Sequence, residues 1–168
     1  MLLASAGLFA ALSTQVIAQN GSSDMRFARE AAIGGMTEVE LGKLAVQKGS
    51  SDRVKQFGQR IVNDHTKAGD DLKGIAAKDD FSLPSDLDAD HKATVDRLSK
   101  MSGTEFDRAF INDMVKDHET DIAEFEKEVK SGTNPDLKSW ASNTLPTLRD
   151  HLRRAKDDQS ALGLTSSK

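Results

Sequence analysis

Phe57-Gly-Gln-Arg-Ile61-Val62-Asn-Asp64-His65 and Phe110-Ile-Asn-Asp-Met114-Val115-Lys-Asp117-His118 share one pattern: Phe, three residues, an apolar pair, one residue, then Asp-His. The echo continues seven residues on, with Leu72 in one copy and Phe125 in the other, and a partial copy, Leu148-Arg-Asp150-His151, lies near the C-terminus. At 100° per residue, Val54, Ile61, His65, Ala68, Leu72 and Ala76 share one helix face, with Phe57 at its edge. Met114, His118, Ile122, Phe125 and Val129 do the same in the second copy. Each imidazole therefore points inward from an amphipathic helix, and each preceding Asp sits at the edge of the stripe.

The remaining punctuation divides the chain into helices. A first long helix is expected over about 24–48, after Ser22 or Ser23 as N-cap. Its inward face is small, with Phe27, Ala31, Gly34, Gly35, Leu41, Gly42 and Ala45, which favours close approach of a second helix, and Glu38 falls in the middle of that face. A carboxylate there is costly to bury unless paired. Gly49-Ser50-Ser51 breaks the pattern, and Ser51-Asp52 reopens a helix to about Lys78. Pro84 stops any continuation, and Ser85 with Asp88 resembles a capping box for a short third helix carrying Leu87, His91, Val95, Leu98 and Met101 on one face. Ser102-Gly-Thr-Glu105 is a second capping box, opening the helix of the second copy. Gly132 ends it, and Asn134-Pro135 starts a last helix to about Asp157, with Pro146 inside it and expected to kink it. Four long helices with a short crossover between the second and third predict an all-α, ferritin-like four-helix bundle, with a plain up-down bundle carrying an added helix as the alternative.

Composition sets bounds on this reading. The chain has 168 residues, a formal net charge of −4, no cysteine and no tyrosine. The mixed charge offers neither the basic face that nucleic acid requires nor a polybasic membrane patch. Met1 to Leu12 is a short apolar run, and Val16-Ile-Ala18 resembles a cleavage site, so residues 1–18 read as a signal peptide for export to the periplasm. A retained membrane anchor is the alternative, although the run is short for a span. The division that follows is 1–18 signal, 19–23 polar lead-in, 24–158 helical domain and 159–168 flexible tail. Without cysteines, an exported chain rests on its packed core alone.

Several stretches together resemble the bacterial family catalogued as domain of unknown function 4142. They are Glu38-Val-Glu-Leu-Gly-Lys-Leu-Ala45, Val54-Lys-Gln-Phe57 with Asp64-His65-Thr66, and Ser102-Gly-Thr-Glu-Phe106-Asp107. Val115-Lys-Asp-His118 follows, then Thr144-Leu-Pro146 with His151-Leu-Arg-Arg-Ala155. The resemblance covers roughly residues 25–156 and implies an exported ferritin-like domain with no established activity. Phe110 stands where that family often has Tyr, which removes one polar group from the core.

All four histidines, His65, His91, His118 and His151, lie on or beside an apolar stripe. A stripe takes three to four positions in seven, so chance gives this roughly one time in twenty. His65, His118 and His151 come from three long helices and Glu38 from the fourth, close enough in a packed bundle to converge on one ion. Such a set, with Asp64, Asp117 and Asp150 orienting the rings, suits Zn, Cu, Ni or Fe. The di-iron pattern is absent, because Val62, Val115 and Leu148 stand where Glu-x-x-His needs Glu. No catalytic residue is assigned: there is no phosphate loop, no nucleophilic triad and no catalytic carboxylate pair. Two readings remain. The plainer is a non-enzymatic envelope or stress-related module whose histidines pair with Glu38, Asp64, Asp117 and Asp121 as core polarity. The sharper is a metal-binding or redox protein. Envelope association and homo-oligomerisation stay open in both.

Overall fold

The chain reverses at each of the expected turns, and the helices between them carry the expected apolar stripes. The computed structural model describes the backbone of residues 8–163 and the side chains of residues 23–163. The protein is all-helical over that span: α1 (Leu8–Lys48), α2 (Asp52–Lys78), α3 (Ala89–Ser99), α4 (Gly103–Ser131) and α5 (Pro135–Ala161). Two hairpins, α1–α2 and α4–α5, carry most of the packing and meet along α1–α4 and α2–α5, while α3 crosses between them. No helix among the described residues is long and apolar enough to cross a membrane.

Several boundaries differ from the sequence reading. Residues 19–23 are helical, so Ser22 and Ser23 lie inside α1 rather than at its start. Serine favours a cap only where the preceding backbone leaves the helix. The segment 1–18 falls partly outside the described residues, which begin at Leu8. At the other end Gln159, Ser160 and Ala161 belong to α5, and residues 164–168 lie outside the described span. Asp88 alone caps α3, accepting from His91 N, so Ser85 is not part of a box. Ser102 precedes α4 without a side-chain cap bond, because Gly103 takes φ +62° and breaks the regular first turn that the box requires. Asn134 caps α5 as expected, accepting from Asp136 N and Leu137 N, with Pro135 next and Pro146 inside the helix.

The small face of α1 does two different things. Close approach to α2 occurs at Gly42 and Gly58, where added Cβ atoms would lie 2.7 Å from Gly58 O and 2.5 Å from Ala45 Cβ respectively. Gly34 and Gly35 instead face space: a Cβ at Gly34 meets nothing within 4 Å. Gly58→Ala is therefore expected to cost about 1–3 kcal/mol by overpacking, whereas Gly34→Ala should stabilise by up to about 1 kcal/mol on helix propensity. Urea midpoints of the two variants check the contrast.

The two hairpins share turn fastenings and an aromatic pair at an offset of 83. Asp107 on α4 accepts from Ser50 N (3.0 Å), Ser50 Oγ (2.6 Å) and Ser51 N (3.0 Å), fastening the α1–α2 turn. Asp24 on α1 accepts from Thr133 N (2.9 Å), Thr133 Oγ1 (2.6 Å) and Asn134 N (2.7 Å), fastening the α4–α5 turn. Aromatic pairs repeat too: Phe27–Trp140 centroids lie 5.9 Å apart at 61°, and Phe110–Phe57 lie 6.0 Å apart at 62°. The Phe–Asp–His echo between α2 and α4 is thus not the structural repeat, which pairs α1 with α4 and α2 with α5.

Among the described residues, two apolar clusters fill the interior. One gathers Leu41, Phe57, Ile61, Phe106, Phe110 and Met114. The other gathers Phe27, Leu72, Phe125, Leu137, Trp140 and Leu148. On every long helix a polar residue interrupts the stripe between the two clusters: Glu38, His65, His118 and His151.

Candidate metal centre

His65, His118 and His151 meet in this middle layer, one ring nitrogen of each lying within 4.8 Å of the others. His118 and His151 are wholly buried, and Glu38 and His65 are 3% and 8% exposed. A helical register produces the convergence. His65 follows Ile61 by one turn, His118 follows Met114, and His151 follows Leu148, so each ring leaves the apolar stripe at the same depth.

His118 Nε2 and His151 Nδ1 face each other at 3.2 Å. The outer nitrogens of both rings already face acceptors: His118 Nδ1 lies 3.0 Å from the Met114 carbonyl, and His151 Nε2 lies 2.9 Å from Asp64 Oδ2. Asp64 is held in turn by Arg60, whose Nε is 3.3 Å away and whose other end pairs with Asp150. Glu38 places Oε2 2.9 Å from His65 Nδ1 and Oε1 3.3 Å from His118 Nδ1. These are close contacts rather than well-aligned hydrogen bonds, since neither Glu38 oxygen gains a bond of good geometry. His65 Nε2 is buried without any partner.

The other sequence candidates fall elsewhere. Asp64 touches His151 on the neighbouring helix, not its own neighbour His65. Asp150 pairs with Arg60 and Arg153, because its edge position faces solvent-side cations. Asp117 makes no hydrogen bond to the three rings and lines a cleft with His91, Arg97 and Asp113. His91 remains about one-third exposed on α3, 2.7 Å from Asp88, away from the cluster. The Met114 carbonyl was not legible in the sequence, since any residue four before a helical histidine offers one. Arg60, one turn before Asp64 on α2, was readable as an i,i+4 partner.

Burial is the main electrostatic fact of the site. It pushes the imidazoles of His65, His118 and His151 down to about 4, against the opposing pull of Asp64 on His65 and His151 and of Glu38 on His118. It pushes Glu38 up to about 7, opposed by His118 and reinforced by Asp117. Asp117 rises to about 6 by burial and then by Asp113, and Asp121 rises as well through burial, Glu38 and Asp117.

The signs oppose one another. Between about 4 and the unfolded imidazole value of roughly 6.5, the unfolded chain binds three protons that the folded chain refuses. The histidine contribution is therefore fully present above that window and falls as pH drops through it. The raised carboxyls hold protons that the unfolded chain releases, so their contribution falls as pH rises from about 4 to about 7. The net slope of the wild type is accordingly shallow, and the histidine part emerges by difference. Against a variant with all three histidines replaced by Gln, the metal-free wild type is expected to lose relative stability between about pH 8 and about pH 5.5. Denaturant unfolding at both values reads it, and an unchanged difference would mean the rings are not buried neutral.

Two solved structures share this fold. A DUF305 protein from Streptomyces coelicolor, taken to be secreted, matches with TM-score 0.73 at 15% identity, over 87% of this chain and 97% of its own. A DUF305 fragment from Deinococcus radiodurans matches with TM-score 0.72 at 14% identity, over 85% and 97%. No curated protein matches the chain. The family described as Domain of unknown function (DUF4142) matches residues 10–157, nearly the whole length, and the chain belongs to it.

Proposed function

We propose that this protein holds one divalent transition-metal ion between His65, His118 and His151, within an exported, ferritin-like helical scaffold. One observation carries the reading: His118 Nε2 and His151 Nδ1 face each other at 3.2 Å while the second nitrogen of each ring faces an acceptor. With Nδ1–H of His118 donating to the Met114 carbonyl and Nε2–H of His151 donating to Asp64, two lone pairs confront each other. A cation relieves that repulsion. Two bonds of about 2.05 Å at a tetrahedral angle put ligand nitrogens about 3.3 Å apart, close to the observed spacing. His65 offers the third lone pair. Glu38 lies against the Nδ1 edge of His118, opposite the nitrogen that faces His151, so it orients rings and balances charge rather than ligating.

Imidazoles held neutral need lose no proton to bind, and three nitrogens without thiolate suit Zn, Cu, Ni or Fe. The ring of four long helices joined through α3 supports the ferritin-like arrangement. The apolar N-terminal run supports export, as does the secreted character attributed to the similar Streptomyces protein.

A second reading, core polarity with no ion, has its own support in Glu38. A protonated Glu38 can donate to His118 Nδ1, so that His118 Nε2–H donates to His151 and His151 to Asp64. That chain leaves the Met114 carbonyl 3.0 Å from a lone pair and His65 Nε2 with nothing. The metal reading disposes of both, and it is the one adopted. Asp64→Asn distinguishes them: it should weaken zinc binding about 10–100-fold in calorimetric titration, whereas the core-polarity reading expects no zinc binding by wild type or variant.

A further inference from the structure

We propose that the cleft between α1, α2, α4, α5 and the 83–87 loop seats a small, largely apolar organic molecule whose single Lewis-basic head takes the fourth position on the ion. This rests on the metal reading above. Three protein nitrogens leave a tetrahedral ion one position for an external ligand, the arrangement of reactive rather than purely structural sites.

The cleft has a volume of about 460 Å³, within the range of small-molecule sites, and its walls are mostly apolar: Met36, Val39, Leu72, Leu83, Phe125 and Trp140. His65 and Glu38 also line it, whereas His118 and His151 do not. The cluster is therefore reached from this side through His65. Both lining groups are more than nine-tenths buried: His65 Nε2 is the nitrogen left to hold the ion, and the two Glu38 oxygens beside it have no hydrogen-bond partners. A free position on the ion, at the end of an apolar cleft, asks for a ligand with one Lewis-basic head and an apolar body. A cationic head is excluded by the ion, and the mostly apolar walls favour an apolar body, with Thr66, Asp121 and Thr144 among the polar exceptions in the lining.

The small face of α1 makes the room. A Cβ at Gly35 would meet only His65 Nδ1, at 4.0 Å, so this helical position faces space beside the cluster. A leucine there would enter the cleft without backbone strain.

Cobalt(II) replaces the native ion for the test, since its visible absorption reports the ligand set. Trp140, the single tryptophan, lines the cleft and reports occupancy by fluorescence. The probes are 4-phenylimidazole, imidazole as head alone, and 1-phenylpyrrole as body without a basic nitrogen. We expect 4-phenylimidazole to shift the cobalt bands and quench Trp140 saturably. Its affinity should exceed that of imidazole at least about tenfold, since a factor of ten needs about 1.4 kcal/mol and burial of a phenyl ring supplies more. Gly35→Leu, or Ala32→Leu on the same wall, should keep the cobalt spectrum and lose that advantage. Failure of the wild type to bind cobalt overturns the metal reading and this one with it. Cobalt bound normally, with the two imidazoles equal in affinity or both leucine variants without effect, overturns this inference alone.

Discussion

His151→Ala is expected to lower zinc affinity by a factor on the order of 10³, beyond the 10–100-fold that losing only an orienting partner costs. The change removes one of three nitrogens and the ring that Asp64 holds in register. His91→Ala, on α3 and outside the cluster, should leave affinity unchanged, which separates the three buried rings from histidine content in general. His151 is fully buried between Leu148 and Ala155, so truncation also opens a cavity and destabilises the fold. His151→Gln, which keeps more of the volume, accompanies it, and both are compared as folded protein by calorimetric titration. An affinity within about threefold of wild type in both variants, well under the loss expected even of an orienting partner, would remove His151 from the site.

Asp107→Ala should be the most damaging single change away from that layer, costing about 3–5 kcal/mol. Its carboxylate is 1% exposed and accepts three hydrogen bonds, two from backbone N–H groups at the start of α2. Bonds to a charged acceptor contribute about 1.5–3 kcal/mol each, and buried donors left empty add their desolvation cost, while shared loss keeps the total below the sum. Asp24→Ala breaks the matching fastening at the other turn but should cost less. Asp24 Oδ1 has no partner, and nearby Glu128 is pushed up to about 7 by burial and then by Asp24 itself. Removing Asp24 relieves that second carboxyl. Urea midpoints at constant slope give both values. Equal costs, or an Asp107 cost under about 1 kcal/mol, roughly one ordinary hydrogen bond, would contradict the account of the turns.

Those fastenings mark where the sequence stopped being legible. Helix order, turns and the inward direction of His65, His118 and His151 follow from 3.6-residue periodicity, which needs only local information. The correspondence at an offset of 83 does not, because few positions keep their identity across it. Asp24 with Asp107, Phe27 with Phe110 and Gly49 with Gly132 persist, while His65 corresponds to Leu148 and His151 to Ala68. The more visible Phe–Asp–His echo connects helices that occupy different places. Asp107 and Asp24 read on the sequence as ordinary helical acids, since their partners lie 56 to 110 residues away. The same limit governed the carboxylates near the site. Each of Asp64, Asp117 and Asp150 precedes or approaches a histidine, and only the packing angle between α2 and α5 decides that Asp64 alone meets a ring.

The small stripe on α1 shows a related ambiguity. Glycine and alanine at helical spacing are equally compatible with a tight helix contact and with an unfilled cleft. Gly42 made the first and Gly35 the second, because α2 converges on α1 near the Gly49 turn and diverges from it toward Glu38.

The most direct test of the metal centre is a long-range proton–nitrogen NMR correlation of the histidine rings, recorded on metal-free protein at neutral pH and again with one equivalent of zinc. The account predicts neutral rings before zinc, protonated at Nδ1 in His118 and at Nε2 in His151. It further predicts shifts of the bare nitrogens of His65, His118 and His151 that saturate at one equivalent while His91 stays unchanged. Three cluster rings unmoved by excess zinc, or a His118 protonated at Nε2 and donating to His151, would contradict it.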